Sequence, residues 1–468
     1  MNPSMNDAIQ AAFAAQLPTA LRLRQSTLAE RKSKIRQLRD AVLAHQAEII
    51  QAGWDDFRKP ATEVELTEIL PVVAEANDAL RKLKSWMKPV KVWPSRMMLG
   101  TVSHVQYQPK GRCLIISPWN YPVNLSFGPL ISAISAGNTV IIKPSEMTPH
   151  ASAIISKIIR EVFNASEVTV IEGDASIATA LLALPFDHIF FTGSPAIGKV
   201  VMAAAARNLT SVTLELGGKS PTIVDASADI ELAAKNILWA KFTNNGQTCI
   251  APDYIYVHAQ VKQAFIAACQ RTLTAVYGAQ PQQSECLARV VNQRHTARLE
   301  GLLNDAREEG ANIIIGGVVD AKDCFIAPTL IDGVTVDSRI MQEEIFGPLL
   351  PIIKYTDLDE IITHINSQPK PLALYVWSKT PAVIHQLMTQ TSSGGACINH
   401  CVVQFLHGNL PFGGVNHSGM GSAHGHYGFK AFSHERAVVK TRIMLAKMFF
   451  PPYTPFTRKL ISIFLKTV

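Results

Sequence analysis

From Gly111 onward, short apolar runs alternate with stretches of helical spacing, and this alternation constrains the fold more than any other feature of the chain. Cys113–Ile116, Thr139–Ile142, Val168–Ile171 and His188–Phe191 read as strands, while Ala151–Phe163 and Gly198–Arg207 read as helices. Continuous apolar strands joined by helical crossovers must be covered on both faces. That implies an α/β fold with a parallel, doubly wound sheet. Ligands in such sheets bind beyond the carboxyl ends of the strands, so the segments after these four runs are where chemistry is expected. A second α/β stretch runs from about 220 to 429, with strands at Tyr254–Val257, Ile313–Ile315 and Leu350–Ile353.

The first 90 residues read as packing helices. A capping box at Thr27–Glu30 opens a helix whose apolar face holds Leu28, Ile35, Leu38, Val42 and Ile49 until Gly53. A second carries Leu66, Ile69, Val73, Leu80 and Leu83 and stops before Pro89. A chain of 468 residues is expected to split into two or more domains. The most apolar long window, Leu125–Ile142, holds Gly128, Pro129, Gly137 and Asn138 and reads as a buried crossover, not a membrane span. Past the proline-rich Phe449–Pro455, Phe456–Val468 reads as a short amphipathic helix, too short to cross a bilayer.

The 44 basic and 37 acidic residues give a net charge of +7 without a dense basic stripe, so no nucleic-acid partner is expected. An anionic cofactor or an acidic membrane surface would suit that charge equally well. Seven cysteines, an odd number in a long chain, fit a reducing compartment, and no basic region followed by an apolar core opens the sequence. The expectation is cytoplasmic, at most peripheral at the inner membrane face.

Six segments carry reactive-looking groups. Gly246-Gln247-Thr248-Cys249 puts a cysteine after a glycine turn, although a lone cysteine is more often a small buried hydrophobe. Asn120, between Pro118 and Pro122, can offer an N–H to a developing oxyanion or merely satisfy a turn. Lys143 and Glu146 suit ribose hydroxyls, or form an exposed ion pair of little consequence. Thr192-Gly193-Ser194 through Gly198 leads a strand by a glycine turn into a helix N-terminus, which attracts phosphate; it is not GxGxxG. Glu215, flanked by Leu214 and Leu216 and followed by paired glycines, is a candidate buried base. Glu344 and Phe346 could hold a ribose and its ring, or simply end a helix.

Taken together, Lys-Pro-Ser-Glu at 143–146, Phe-Thr-Gly-Ser at 191–194, Glu-Leu-Gly-Gly-Lys at 215–219, Gly-Gln-Thr-Cys at 246–249 and Glu-Glu-Ile-Phe-Gly-Pro at 343–348 resemble the aldehyde dehydrogenase superfamily. Pro371–Tyr375, Leu410–Val415 and Ser418–Gly421 resemble its class-three branch. The resemblance implies a Rossmann-like NAD(P)-binding domain at 1–214 with an oligomerisation hairpin at about 93–112, and a catalytic thiol domain at 215–428. It adds an oligomerisation strand at 429–443 and an amphipathic tail at 444–468 that gates the substrate entrance. Cys249 would attack the aldehyde, Asn120 hold the oxyanion and Glu215 activate water, with Glu344 assisting as base. Trp119, Lys143, Ser145, Glu146, Gly193, Ser194, Gly198, Leu216, Glu344 and Phe346 would contact the cofactor, NAD in preference to NADP. The thiol is expected to be partly thiolate near pH 7. The implied substrate is a medium- to long-chain aliphatic aldehyde, then an aromatic one, and the implied assembly is a homodimer with weak membrane contact through the C-terminal helix.

The family often has Asn-Asp where this chain has Asn399-His400-Cys401, and Gly-Asn where it has Asn416-His417. Family position implies that both lie near the substrate channel, and where they do they bear on substrate choice and not on the chemistry. Cys397, His400, Cys401 and His407 look loosely like metal ligands, but a strand-like stretch would point them to different faces, so no metal is expected. The competing readings are a catalytically silent binding protein of the same fold and a thiol esterase.

Overall fold

The computed structural model describes residues 3–466; Met1, Asn2 and the last two residues of the expected tail, Thr467 and Val468, lie outside the described residues. The four apolar runs of the first half form parallel strands Arg112–Ile116, Thr139–Lys143, Val168–Val170 and His188–Gly193. Ser211–Leu216 joins them in parallel, and the short strand Gly419–Met420 closes one edge antiparallel. Every position of Thr139–Lys143 is buried, as a strand covered by helices on both faces requires. One cover is the N-terminal helix Pro3–Leu23, whose Ile9 and Phe13 share a core with Leu114 and Ile141. The apolar window at 125–142 is such a crossover: helix Asn124–Ala136, a left-handed Gly137, then strand.

A second sheet of seven strands has Pro221–Val224 and Tyr254–His258 at its centre. Its pairs are parallel except Asn312–Ile315 with Thr329–Asp332. A third sheet pairs Val90–Val92, Thr101–Pro109 and Ser433–Thr441 antiparallel, the last two along nine residues.

These sheets divide the chain slightly differently from the sequence expectation. Strand Ser211–Leu216 runs past 214, because Gly193 pairs with Leu216, so the parallel part of the first sheet extends to Leu216. The hairpin begins at Val90, and Arg112 already belongs to the next sheet. The helix expected to continue to Gly53 breaks at His45, which ends Leu28–Ala44 and starts Gln46–Phe57; its ring is held between Glu48 and Glu161, 2.8 Å from each. The second helix, Leu70–Trp86, is preceded by a π-helical turn at Glu65–Ile69.

Parallel strands end on one side of a sheet. Ser117–Asn120, Pro144–Glu146, Ser194 and Gly217–Lys219 therefore all emerge at the same edge of the first sheet, facing the second.

Candidate active site

Helix Ile230–Phe242 delivers the chain into a tight turn, Thr243–Gly246, in which Asn244 (φ 51°) and Asn245 (φ 53°) are both left-handed. Such a conformation costs of order 1–3 kcal/mol for a residue with a side chain, so the surroundings must impose it. They do. The Asn244 side-chain nitrogen donates to the Asn120 carbonyl (2.9 Å) and to the Gln247 carbonyl (3.2 Å). Gln247 is buried and stitched to the carbonyls of Asn244 and Arg289 and to the Val291 N–H. Gly246 rests on the Gly347 carbonyl, where any side chain would collide. Cys249 follows this rigid turn.

The thiol lines a cavity of about 190 Å³, far more than the ~10–15 Å³ that one water needs. Glu215, Tyr121, Thr192 and Thr248 share it, but most of the wall is apolar. Leu66, Leu70, Trp239 and Leu406 are each about half exposed at its rim. Asn120 lies behind the wall, its side-chain nitrogen donating one of its two N–H groups to the Gln247 carbonyl (3.0 Å).

The electrostatics correct one expectation. The Cys249 thiol is pushed up to about 12, first by burial and then by the charges of Glu344 and Glu215, so it rests protonated at neutral pH. The partly thiolate state expected from the sequence needs a nearby cation or open solvent, and two carboxyls stand there instead. Glu215 is buried with neither oxygen hydrogen-bonded, and burial alone holds its carboxyl well above the usual range. Glu344 is raised to about 7, mainly by burial, while the Gly218 N–H, Lys219 and Arg298 pull it back. Its carboxylate lies against Gly217, where a Cβ would strike it, which explains the glycine at that position. Lys219 clamps this turn to the Glu343–Pro348 segment: it pairs with Asp253 and donates to the carbonyls of Ile340 and Glu343 (both 2.9 Å). Asp253 in turn accepts the Ile345 N–H (2.9 Å).

The residues expected to contact a cofactor lie along the strand ends. Lys143, buried, pairs with the half-exposed Glu146 at 2.8 Å, and the Ser145 hydroxyl accepts the Met147 N–H. Ser194 caps helix Pro195–Ala206. Gly198 lies against Leu216, and a Cβ there would displace the leucine. Trp119 and Phe346 meet edge to face at 5.3 Å, with Phe346 left-handed at φ 50°. Beside Trp119 lies His295, whose Nε2 is buried without a hydrogen-bond partner. The donor set and the glycine cradle fit a dinucleotide: a charged pair for a ribose, a capped helix N-terminus for a pyrophosphate, and rings and Glu344 for the other end.

The structure thus brings Cys249, Glu215 and Glu344 together, sets Asn120 behind them, and spreads Lys143, Ser145 and Glu146 along a separate arm of the cleft. Sequence reasoning missed Tyr121, Trp239, Asp253 and Glu63, whose carboxylate accepts the Asn244 N–H at 2.9 Å. A charged residue interrupting an apolar helix face, as Glu63 and Glu68 do near Leu66 and Ile69, was the available signal. Among the described residues, none beyond His424 lines the cavity. Ser433–Thr441 leads the chain along the third sheet, and the following segment folds on itself, with Phe449 against Phe464 at 5.8 Å. No group of three or more His, Cys, Asp or Glu among the described residues is placed to hold a metal ion. Cys397 instead donates to Gln404 (2.8 Å). His400 does not line the cavity; it faces Trp239, which does.

Comparison with known proteins finds the model of the Aldehyde dehydrogenase family matching residues 2–438. The 4,4'-diaponeurosporen-aldehyde dehydrogenase of Staphylococcus aureus is 45% identical over 90% of this chain and 92% of its own length. Aldehyde dehydrogenase family 3 member B1 of Bos taurus is 41% identical over 89% of each chain. The solved structure of the substrate-bound state of Staphylococcus aureus AldH superposes with a TM-score of 0.94, at 42% identity, over 99% of this chain and 100% of that one.

Proposed function

The chain belongs to the aldehyde dehydrogenase family, and from that premise we propose that Cys249 takes a lipophilic aldehyde to its carboxylic acid through a thioester. It is an oxidoreductase that acts on aldehydes with NAD(P)⁺. The observation that carries the proposal is a thiol sharing one apolar cavity with an unpartnered buried carboxyl, Glu215.

The Cys249 sulfur adds to the aldehyde carbon while its proton passes to Glu344, which is about half ionised at pH 7. The resulting alkoxide of the thiohemiacetal accepts the free N–H of Asn120, an interaction worth roughly 3–4 kcal/mol of barrier. NAD(P)⁺, when bound, supplies the acceptor for the hydride lost from that carbon. Glu215, neutral in the dry resting cavity, first gives up its proton to solvent when water enters; as the carboxylate it then takes a proton from the water that hydrolyses the thioester. Lys143 and Glu146 would hold the adenosine ribose, with Ser145 beside them; the Gly193–Gly198 turn with Ser194 the phosphates; Trp119, Leu216, Glu344 and Phe346 the nicotinamide end. Glu146, a carboxylate where a 2′-phosphate would lie, favours NAD⁺ over NADP⁺ without excluding it.

The apolar wall points to medium- or long-chain aliphatic aldehydes, with aromatic ones second. Each further buried CH₂ contributes about 0.8 kcal/mol, roughly fourfold in kcat/KM. NAD(P)H formation measured over short, long and aromatic aldehydes, with Cys249→Ala as control, tests this. Efficiency should climb with chain length; a flat profile would remove the substrate assignment and leave the chemistry.

The third sheet and the connection between its first two strands expose Val90, Val92, Met97, Leu99 and Trp93, the last at 94%. A second copy covering this arm makes the protein a homodimer, checked by light scattering of the purified chain. Seven Lys and Arg residues follow Glu435 with no acidic residue among them, which leaves 37 basic residues to balance the 37 acidic ones elsewhere. The net +7 thus resides at the C-terminus, beside helix Pro455–Leu465 with its exposed Phe456, Ile463 and Leu465. No helix among the described residues is long and apolar enough to cross a membrane. Peripheral contact with an anionic bilayer, from the cytoplasmic side, suits that composition. Flotation with phosphatidylglycerol vesicles but not phosphatidylcholine ones is the expected result, and equal recovery with both would refute it.

A further inference from the structure

The cluster beneath the reacting turn comes from the N-terminal helices, which the sequence presents as simple packing. Lys59 is wholly buried, with a side-chain exposure of 0%. Its ammonium is 3.3 Å from Glu68 Oε1 and 4.2 Å from the centroid of the Tyr121 ring. A buried cation over an aromatic face is held more strongly than an exposed one, because no water competes for it. The Tyr121 hydroxyl lies 2.5 Å from Thr248 Oγ1, and Thr248 precedes Cys249. Glu68 Oε2 accepts the Asn124 N–H (2.9 Å), which fixes the helix that follows Tyr121. Glu63 accepts the N–H of Asn244, the left-handed residue whose side chain supports the Asn120 carbonyl.

The backbone is adapted to this arrangement. Residues five apart diverge on an α-helix, but the π turn Glu65–Ile69, in which the Leu70 N–H bonds the Glu65 carbonyl, brings Glu63 and Glu68 toward one ammonium. Such turns weaken regular helix bonding and recur at functional sites. A buried ion pair is seldom a net gain over apolar residues of the same size, so packing alone does not account for three charges here.

We propose that Lys59, Glu63 and Glu68 are positioning residues for the reaction: through Tyr121–Thr248 and Asn244–Asn120 they fix the thiol and its oxyanion amide in register. The proposal rests on Cys249 being the nucleophile. None of the three touches the strand ends where the cofactor contacts lie, so they act on the chemical step and not on dinucleotide binding.

The test uses the full chain carrying Lys59→Met/Glu68→Gln, which replaces the pair with neutral groups of similar size, and separately Glu63→Gln. Four quantities are read: melting temperature, NADH affinity by fluorescence, the rate of Cys249 alkylation by iodoacetamide without cofactor, and kcat against KM. Variants that melt near the parent and bind NADH with parental affinity should show alkylation and kcat reduced at least tenfold for the double variant and at least threefold for Glu63→Gln. Parental alkylation and kcat in a folded variant would overturn the proposal and reduce the cluster to packing. If the double variant does not fold, Glu63→Gln decides by the same criterion. A Cys249→Ala chain that still formed NADH would instead remove the nucleophile assignment, a separate failure.

Discussion

Glu215 leaves the end of strand Ser211–Leu216 with neither carboxyl oxygen hydrogen-bonded, whereas Glu344 rests on the Gly217–Gly218 turn and accepts an N–H beside Lys219 and Arg298. Both carboxyls raise the same thiol. Burial acts on each, but only Glu344 has partners that favour its charge. Glu215 is therefore neutral at rest and Glu344 titrates near the working pH. Two identical side chains are thus held in different protonation states by their surroundings, which suits the proposed division into base for the thiol and base for water.

Breaking the comparison at Glu344 should have the largest effect. Glu344→Gln is expected to lower kcat by about 10²–10⁴-fold and to abolish the first-turnover burst of NADH in stopped flow, because the protonated thiol loses its base. Glu215→Gln sharpens the contrast. It should keep a burst close to one NADH per site, followed by turnover slowed about 10²-fold, since acylation survives and hydrolysis does not. A lost burst in Glu215→Gln and a kept one in Glu344→Gln would exchange the two assignments.

The pH dependence comes next in size. With the acceptor of the thiol proton titrating at about 7, kcat/KM should fall tenfold per pH unit below that point, and Glu344→Gln should lose the inflection. The smallest effect is on stability. A carboxyl raised from 4.5 to about 7 on folding is stabilised in its neutral form. Its contribution is complete below about 4.5 and is lost as pH rises through about 7, roughly 3 kcal/mol at most. Glu63, also at about 7, adds in the same direction. Denaturant unfolding should thus show a steeper loss between pH 5 and 8 for the parent than for Glu63→Gln/Glu344→Gln.

What could be read from the residues follows the range of the interactions. The parallel sheet was legible because four-residue apolar runs such as Thr139–Ile142 have no alternative to burial on both faces. Cys249, Glu215 and Glu344 were legible through short motifs in which each glycine has a local reason, as Gly217 does against Glu344. Two features were not. The thiol's protonation depends on which charges surround it in space, and Glu344 is 95 positions away in sequence. Lys59 and Glu68 meet across a π turn that no periodicity announces, and both bind residues more than 50 positions distant. The tail's helix was legible from its amphipathic spacing, but its distance from the cavity was not, because the third sheet decides where the chain leaves the body.

The central claim is an acyl group carried on one sulfur. Glu215→Gln mixed with NAD⁺ and a long-chain aldehyde, quenched in acid and digested, should yield the peptide containing Cys249 heavier by one acyl group. An unmodified Cys249 peptide, recovered after a full burst of NADH, would contradict the account.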